Sequence, residues 1–286
     1  MLEDILIPTD GSDEAGIAID HGLDLAARFD ATAHVLHVVN VRQTQTAPHS
    51  EECEQDGETY VTTVADRAAD QGIAVEQCVR TGYPEDCILS YADDHGVDLV
   101  AMGTHGRTGV RRYVLGSVAE RVVRLADVPV LTVRLGESRT RFFPYEDVLV
   151  PTDGSDGAMA AAEWAVGVAD AYDATVHALS VVDATSLGLD VRSVGRADDL
   201  DDAARSAIDD VTTMAREAGL SATGTVATGT PYREIRSYVD EYGTDLTVIG
   251  RRGKAELERY LVGGVADRTL RTSHVPVVTV KHPDDG

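Results

Sequence analysis

Gly103, Gly106 and Gly116, the last followed by Ser117, stand in a Gly-x2-Gly-x9-Gly-Ser spacing directly behind the apolar run from Asp98 to Met102. Glycine at a strand end allows a sharp turn, and a second glycine lets backbone approach a ligand with no Cβ in the way. A Gly-Ser pair at a helix start adds amides and a hydroxyl where the helix dipole favours negative charge. The chemistry these residues suit is the cradling of an anion. Arg107, Arg111 and Arg112 lie between the glycines with no acid among them, a local positive patch whose natural counter-group is phosphate. The same spacing would also suit a solvated glycine loop with exposed arginines and no ligand.

A second candidate segment is DILIPTDGSD from Asp4. Asp10 could hydrogen-bond a ribose hydroxyl or hold a magnesium ion, or it could cap the helix that follows. Ser12 is the better-placed cap, which leaves Asp10 to a ligand. Pro8 and Thr9 could line an adenine face, and the backbone of Val38 could bond the edge of a base. His34 and His37 are three apart on a strand and so face opposite ways. They read as a core residue and a crevice-edge residue.

Both segments recur. DVLVPTDGSD begins at Asp147 and DLTVIGRRGKAELERYLVGG at Asp245, so the chain holds two copies of one unit. The offset between copies is 143 residues at PTDGSD but 147 at RTGYPEDCI/ATGTPYREI and at the glycine loops, placing a net gain of four between the first and third strands. In the first copy, strands are expected at Ile5 to Pro8, Ala33 to Val39, Ile73 to Val79, Asp98 to Met102 and Val128 to Val133. Helices follow Ser12, span Glu51 to Gln71, run from Pro84 to His95 and start at Ser117. Alternating strands and helices mean a parallel sheet. Ligand turns after strands one and four imply the order 3-2-1-4-5, with a crevice at the switch point between those strands. The fold class is therefore α/β, two tandem Rossmann-like domains, each a five-stranded parallel sheet with helices on both faces. The boundaries read as domain 1 at 1–138, a linker at 139–146 and domain 2 at 147–286. Phe142 and Phe143, two of three phenylalanines in the chain, are expected to pack near the junction. Asp183 to Asp202 carries six aspartates and reads as a long loop, a lid or a solvated spacer.

The net charge is −24, from 49 acidic and 25 basic residues, and Lys254 and Lys281 are the only lysines. Such a surface repels nucleic acid and anionic membranes, and no apolar run approaches membrane-spanning length. The acidity suits a halophilic cytoplasm, where salt screens self-repulsion. Genomic replacement of Lys by Arg on an ordinary acidic surface is the alternative. Cys53, Cys78 and Cys87 form no C-x-x-C pair, and the start MLEDILIP is already a strand pattern, so a reducing cytoplasm is expected. There is no G-x4-G-K-[ST] loop and no G-x-G-x-x-G after the first strand. His105 lies in the glycine loop with no carboxylate near it in sequence to orient it as a base.

Taken together, PTDGSD after strand one, Gly-x2-Gly-x9-Gly-Ser after strand four and VPV in strand five resemble the ATP-binding branch of the universal stress protein family. The resemblance spans nearly the whole chain and implies ATP in the crevice, dimerisation through strand five and a regulatory role in stress survival. By that likeness Asp10 and Val38 contact the nucleoside and Gly103, Gly106, Gly116 and Ser117 hold phosphates, with Pro8, Thr9, Met102, Arg107 and Val118 completing the lining. Magnesium would arrive through the phosphates, with Asp10 a candidate ligand. The second copy keeps Pro151, Thr152, Asp153, Val181, Gly250, Gly253 and Gly263. Gly264 replaces the hydroxyl residue, and Glu256 and Glu258 dilute the local positive charge. A lost charge-assisted hydrogen bond of roughly 1.5–3 kcal/mol weakens binding about ten- to a hundredfold. The expected function is a cytoplasmic stress-response regulator that binds ATP in domain 1, with domain 2 either a weaker site or a vestigial one. Its partners are the nucleotide and an unidentified protein. Paired strand-five edges would make the chain its own pseudo-dimer, and two chains could associate further. The alternatives are a nucleotide-free interaction scaffold and a slow ATPase, since no placed base or nucleophile marks a turnover enzyme.

Overall fold

The computed structural model of the chain describes residues 2–44, 50–104, 115–134, 143–183, 193–253 and 264–282. The chain divides into two compact units, Met1–Thr140 and Arg141–Gly286. In the first, β1 (Asp4–Pro8), β2 (Thr32–Asn40), β3 (Val75–Gly82), β4 (Leu99–Gly103) and β5 (Val130–Val133) lie in the order β3-β2-β1-β4-β5. Every neighbouring pair is parallel. The second unit repeats the order with β6 (Asp147–Pro151), β7 (Thr175–Asp183), β8 (Ala222–Gly229), β9 (Leu246–Gly250) and β10 (Val277–Val280), as β8-β7-β6-β9-β10. Its pairs are parallel as well. The central strands are mostly apolar and buried along their middles, as strands covered on both faces must be.

The covering helices are α1 (Asp13–Phe29), a short α2 (Val41–Thr44), α3 (Ser50–Asp70), α4 (Pro84–His95) and α5 (Ser117–Leu125). Their counterparts are α6 (Asp156–Tyr172), α7 (Ser193–Glu217), α8 (Pro231–Tyr242) and α9 (Gly264–Thr272). Ser12 and Ser155 cap α1 and α6, each accepting from the amide three residues on at 3.2 Å. β2 separates the two helical layers. His34 meets Tyr91 of α4 on one side of it, and His37 meets Tyr60 of α3 on the other, as a spacing of three on a strand requires.

Two devices recur at the amino-terminal edge of each sheet. The Asp98 carboxylate accepts the backbone N–H groups of Glu3 and Asp4 at 2.6 and 3.0 Å, and Asp245 accepts those of Glu146 and Asp147 at 2.9 and 3.1 Å. Each therefore satisfies two donors at the very start of its unit's first strand. Burial pushes the Asp245 carboxyl up, against the pull of those two donors. Beside them His34 bridges Asp4 at 2.7 Å and Tyr91 at 3.1 Å, and His177 bridges Asp147 at 2.7 Å and Tyr238 at 3.0 Å. A carboxylate only accepts, so Nε2 carries a proton in both rings while Nδ1 faces the phenol. Burial raises the Tyr91 phenol to about 12, which keeps it a donor.

One expectation is corrected here and another is located. The segment Asp183 to Asp202 is not one long loop, because α7 begins at Ser193 and takes in Asp198, Asp199, Asp201 and Asp202. Acidic residues are tolerated on a helix face turned to solvent, and Arg205 pairs with Asp201 one turn away at 2.8 Å. The four-residue gain also falls in a helix, since α7 has 25 residues and α3 has 21. Beyond these, the third strand starts and ends later than predicted because its pairing with β2 begins at Val75 opposite Ala33 and continues to Gly82 opposite Asn40. Residues 135–142, including Phe142, lie outside the described residues. Phe143 is half-buried, and the buried aromatic of this stretch is Tyr145, packed on Tyr172 at 5.0 Å between centroids.

His21 lies buried on α1, 1% exposed, and burial holds its imidazole down to about 4 against the opposing charge of Asp20. The unfolded chain therefore takes a proton near pH 6.5 that the folded chain refuses until about pH 4, so stability is lost as pH falls through that window. The loss amounts to about 3 kcal/mol at the acid end, from roughly 1.4 kcal/mol per pH unit. Chemical denaturation of wild type and His21→Phe between pH 7 and 4 should show the wild type losing stability more steeply; parallel profiles would disprove it. Removing either serine cap, Ser12→Ala or Ser155→Ala, should cost about 1 kcal/mol in the same assay.

Candidate functional site

β1 lies between β2 and β4, and the chain leaves β1 and β4 toward opposite faces of the sheet, so their carboxyl ends part around a crevice. In the first unit that crevice is a cavity of about 310 Å³. Pro8 closes β1 into it, and Thr9 is held by its amide donating to the Leu36 carbonyl at 2.9 Å. Asp10 follows at the lip, half-buried. Its Oδ1 accepts the Ser12 amide at 3.0 Å while Ser12 itself caps α1. Asp10 is therefore not left wholly to a ligand by its neighbour, since the side chain first makes an Asx turn with its own backbone. Val38 lines the cavity from β2, half-buried, in register with Arg80 of β3.

The opposite wall comes from β4 and α5. Met102 and Gly103 end β4, and Gly103 faces α1 so closely that a Cβ would lie 3.1 Å from the Glu14 carbonyl carbon. Gly116 is the N-cap of α5, donates to the Thr104 carbonyl at 2.8 Å and receives no side-chain cap. The first bond inside the helix runs from Glu120 to Gly116, so the amides of Ser117, Val118 and Ala119 have no acceptor within it. These residues line the cavity, with the positive end of the α5 dipole toward it. Gly106 and Arg107, with His105, Arg111 and Arg112, lie outside the described residues.

Glu85, 4% exposed at the start of α4, accepts from Arg42 at 3.1 Å, and Arg121 of α5 pairs with Asp86 at 2.9 Å. These pairs tie α2, α4 and α5 together beside Pro84 and Ile88, which line the same cavity. Asn40, Cys53, Asp56, Tyr60 and Thr104 also line it and were not singled out from the sequence. Contacts between a helix and a strand far apart in the chain leave no mark in residue spacing. The local trace of that packing is Gly57, a glycine inside α3 where a Cβ would lie 2.5 Å from Cδ2 of His37.

The second unit brings the corresponding residues to the same edge in a different arrangement. Pro151 and Thr152 are buried at the end of β6, Asp153 is exposed with Oδ1 accepting from Ser155 at 3.0 Å, and Val181 is half-buried on β7. Gly250 packs against α6, where a Cβ would lie 2.6 Å from the Gly157 carbonyl oxygen. A Cβ on Gly253 would lie 2.6 Å from Oδ2 of Asp153, so the first turn of this glycine loop sits directly on that carboxylate. Arg251 is buried, 5% exposed, where the first unit has Thr104. Gly264 starts α9 with no hydroxyl to offer. Gly263, Lys254, Glu256, Glu258 and Arg259 lie outside the described residues.

Among the described residues, no group of three or more His, Cys, Asp or Glu side chains could hold a metal ion, and no helix is long and apolar enough to cross a membrane.

Comparison with known proteins matches this double architecture. The model of the universal stress protein family matches residues 1–134 and again 144–281. Universal stress protein MJ0531 of Methanocaldococcus jannaschii is 36% identical over 141 residues, spanning 47% of this chain and 83% of its own. Universal stress protein YxiE of Bacillus subtilis is 29% identical over 148 residues, 47% of this chain and all of its own. A crystal structure of a universal stress protein from Archaeoglobus fulgidus superposes with a TM-score of 0.74 at 23% identity, covering 99% of this chain and 97% of that one. At that identity the likeness speaks for the fold. With the family matched once in each half, the chain belongs to the universal stress protein family as a tandem of two such domains.

Proposed function

We propose that the first domain binds ATP in the cavity between β1 and β4, and that the protein acts in the cytoplasm as a nucleotide-dependent regulator of a stress response rather than as a turnover enzyme. The observation that carries this reading is the convergence, on one cavity, of an uncapped helix amino terminus with a hydroxyl at one end and a carboxylate at the other. Gly116, Ser117 and Val118 suit phosphate oxygens, and Asp10 with the Val38 backbone suits the hydroxyls and base edge of a nucleoside. The volume falls at the lower end of the roughly 300–1,000 Å³ usual for small-molecule sites. Bound nucleotide would supply the negative charge that the α5 terminus favours. Magnesium would enter on the phosphates, with the Asp10 carboxylate at the lip. The close seating of Gly253 on Asp153 and the missing hydroxyl at Gly264 support a second domain that holds no nucleotide. A regulator needs its bound and free states to differ in stability, and ligand at a hundred times its dissociation constant adds about 2.7 kcal/mol.

Protein purified in molar KCl, denatured and analysed by anion-exchange chromatography should release one ATP per chain; none would argue for a nucleotide-free scaffold, and ADP for hydrolysis. Mg-ATP should raise the melting temperature of the nucleotide-free protein, and an unchanged melt would remove the regulatory reading. Ser117→Ala should weaken ATP binding about tenfold or more by calorimetry, the range of a charge-assisted hydrogen bond. Equal affinity would place the phosphates elsewhere.

A further inference from the structure

The two repeats differ systematically at one wall of the crevice. In the first unit His37 and Tyr60 face each other with ring centroids 5.4 Å apart, and both line the cavity. Two glycines make room for them. A Cβ on Gly57, inside α3, would lie 2.5 Å from Cδ2 of His37, and one on Gly11 would lie 2.6 Å from the Tyr60 ring. Glycine inside a helix is unfavourable relative to alanine, so the sequence of α3 gives up helix propensity where an imidazole must sit beneath it.

The strands β2 and β7 correspond at an offset of 143. The helices α3 and α7 correspond at 147, an alignment fixed by their buried positions, Val61, Val64 and Ala68 against Ile208, Val211 and Ala215. On that alignment Ser180 replaces His37, Ala204 replaces Gly57 and Ala207 replaces Tyr60. The ring pair and the helix glycine that accommodates it are thus lost together. Ser180, Ala204 and Ala207 are all buried, so the second unit fills the same seam by plain packing. Asp56, also at the first cavity, has Ala203 as its counterpart. The first cavity is therefore polarised, with rings and the carboxylates of Asp10 and Asp56 toward one end and the amides of α5 toward the other.

We infer that His37 and Tyr60 form a base-recognition wall, a specificity-determining element that lets the first domain distinguish a nucleotide from a bare polyphosphate. This rests on the nucleotide reading above. A planar base gains from contact with an aromatic face whatever its sequence of edge groups, and carboxylates beside the rings disfavour an anion there while accepting from base or ribose donors. The phosphates are thereby directed to α5.

The test is titration calorimetry with two probes, Mg-ATP and magnesium tripolyphosphate, in molar KCl. The variant combining His37→Ser, Gly57→Ala and Tyr60→Ala installs the residues that already pack in the second unit. It should bind Mg-ATP about tenfold or more weakly, the scale of losing a base–aromatic contact, while its tripolyphosphate affinity stays that of wild type. Tyr60→Phe should keep wild-type ATP affinity, and Tyr60→Ala alone should lose it in the same direction if the triple variant does not fold. Unchanged ATP affinity in the variants, with wild type binding ATP, would overturn the wall and leave the nucleotide reading standing. Equal losses for both probes would also overturn it, since the rings would then be supporting the pocket as a whole. Wild-type protein that binds neither probe would overturn the nucleotide reading, and the wall with it.

Discussion

The position of β1 between β2 and β4 governs the rest of the first domain. From β1 the chain crosses one face of the sheet to reach β2, and from β4 it crosses the other to reach β5, so nothing in the backbone fills the space between their ends. The fully buried Ile5, Leu6 and Ile7 hold β1 there. Register with β2 on one side and β4 on the other sets the height at which Pro8, Thr9 and Asp10 emerge opposite Gly103. The site's geometry is a by-product of strand order, and its chemistry is added by the residues that the two turns carry.

The same constraint operates in the second domain, yet the contacts at the carboxyl ends of its strands differ. Gly157 in place of Glu14 lets the loop after β9 lie against α6, and that loop meets Asp153. Conserved topology with altered contacts is what a duplicated fold permits, because the sheet and its amino-edge devices, the Asp98 and Asp245 clamps and the two buried histidines, are indifferent to what the opposite edge binds. The devices that pin the strands and the cavity lie at opposite ends of the same sheet.

Strand order, helix caps and the loop positions were legible from local pattern. Ser12 and Ser155 sit ahead of apolar helical spacing, Pro84 opens a helix, and the glycine spacing follows an apolar strand. The exclusive use of Asp10 by a ligand was misjudged because an Asx turn and a cap can operate on adjacent residues at once. The aspartate-rich stretch was misread because acidic composition marks solvent exposure, and an exposed helix face is as solvated as a loop. Tyr60, Asp56 and Cys53 escaped notice because α3 reaches the cavity only through its packing on β2, which no residue spacing encodes. Gly57 was the one local sign of that packing, a glycine inside an otherwise uninterrupted helix.

The helix α7 exceeds α3 by four residues, close to one turn at 3.6 residues per turn. An insertion of that size returns the downstream residues to nearly the same azimuth, so Ile208, Val211 and Ala215 still face the sheet as Val61, Val64 and Ala68 do. A change of two residues would swing that apolar stripe through about 200°, toward solvent. Length in this helix is thus quantised, since only whole turns can be gained or lost with the apolar stripe still facing the sheet.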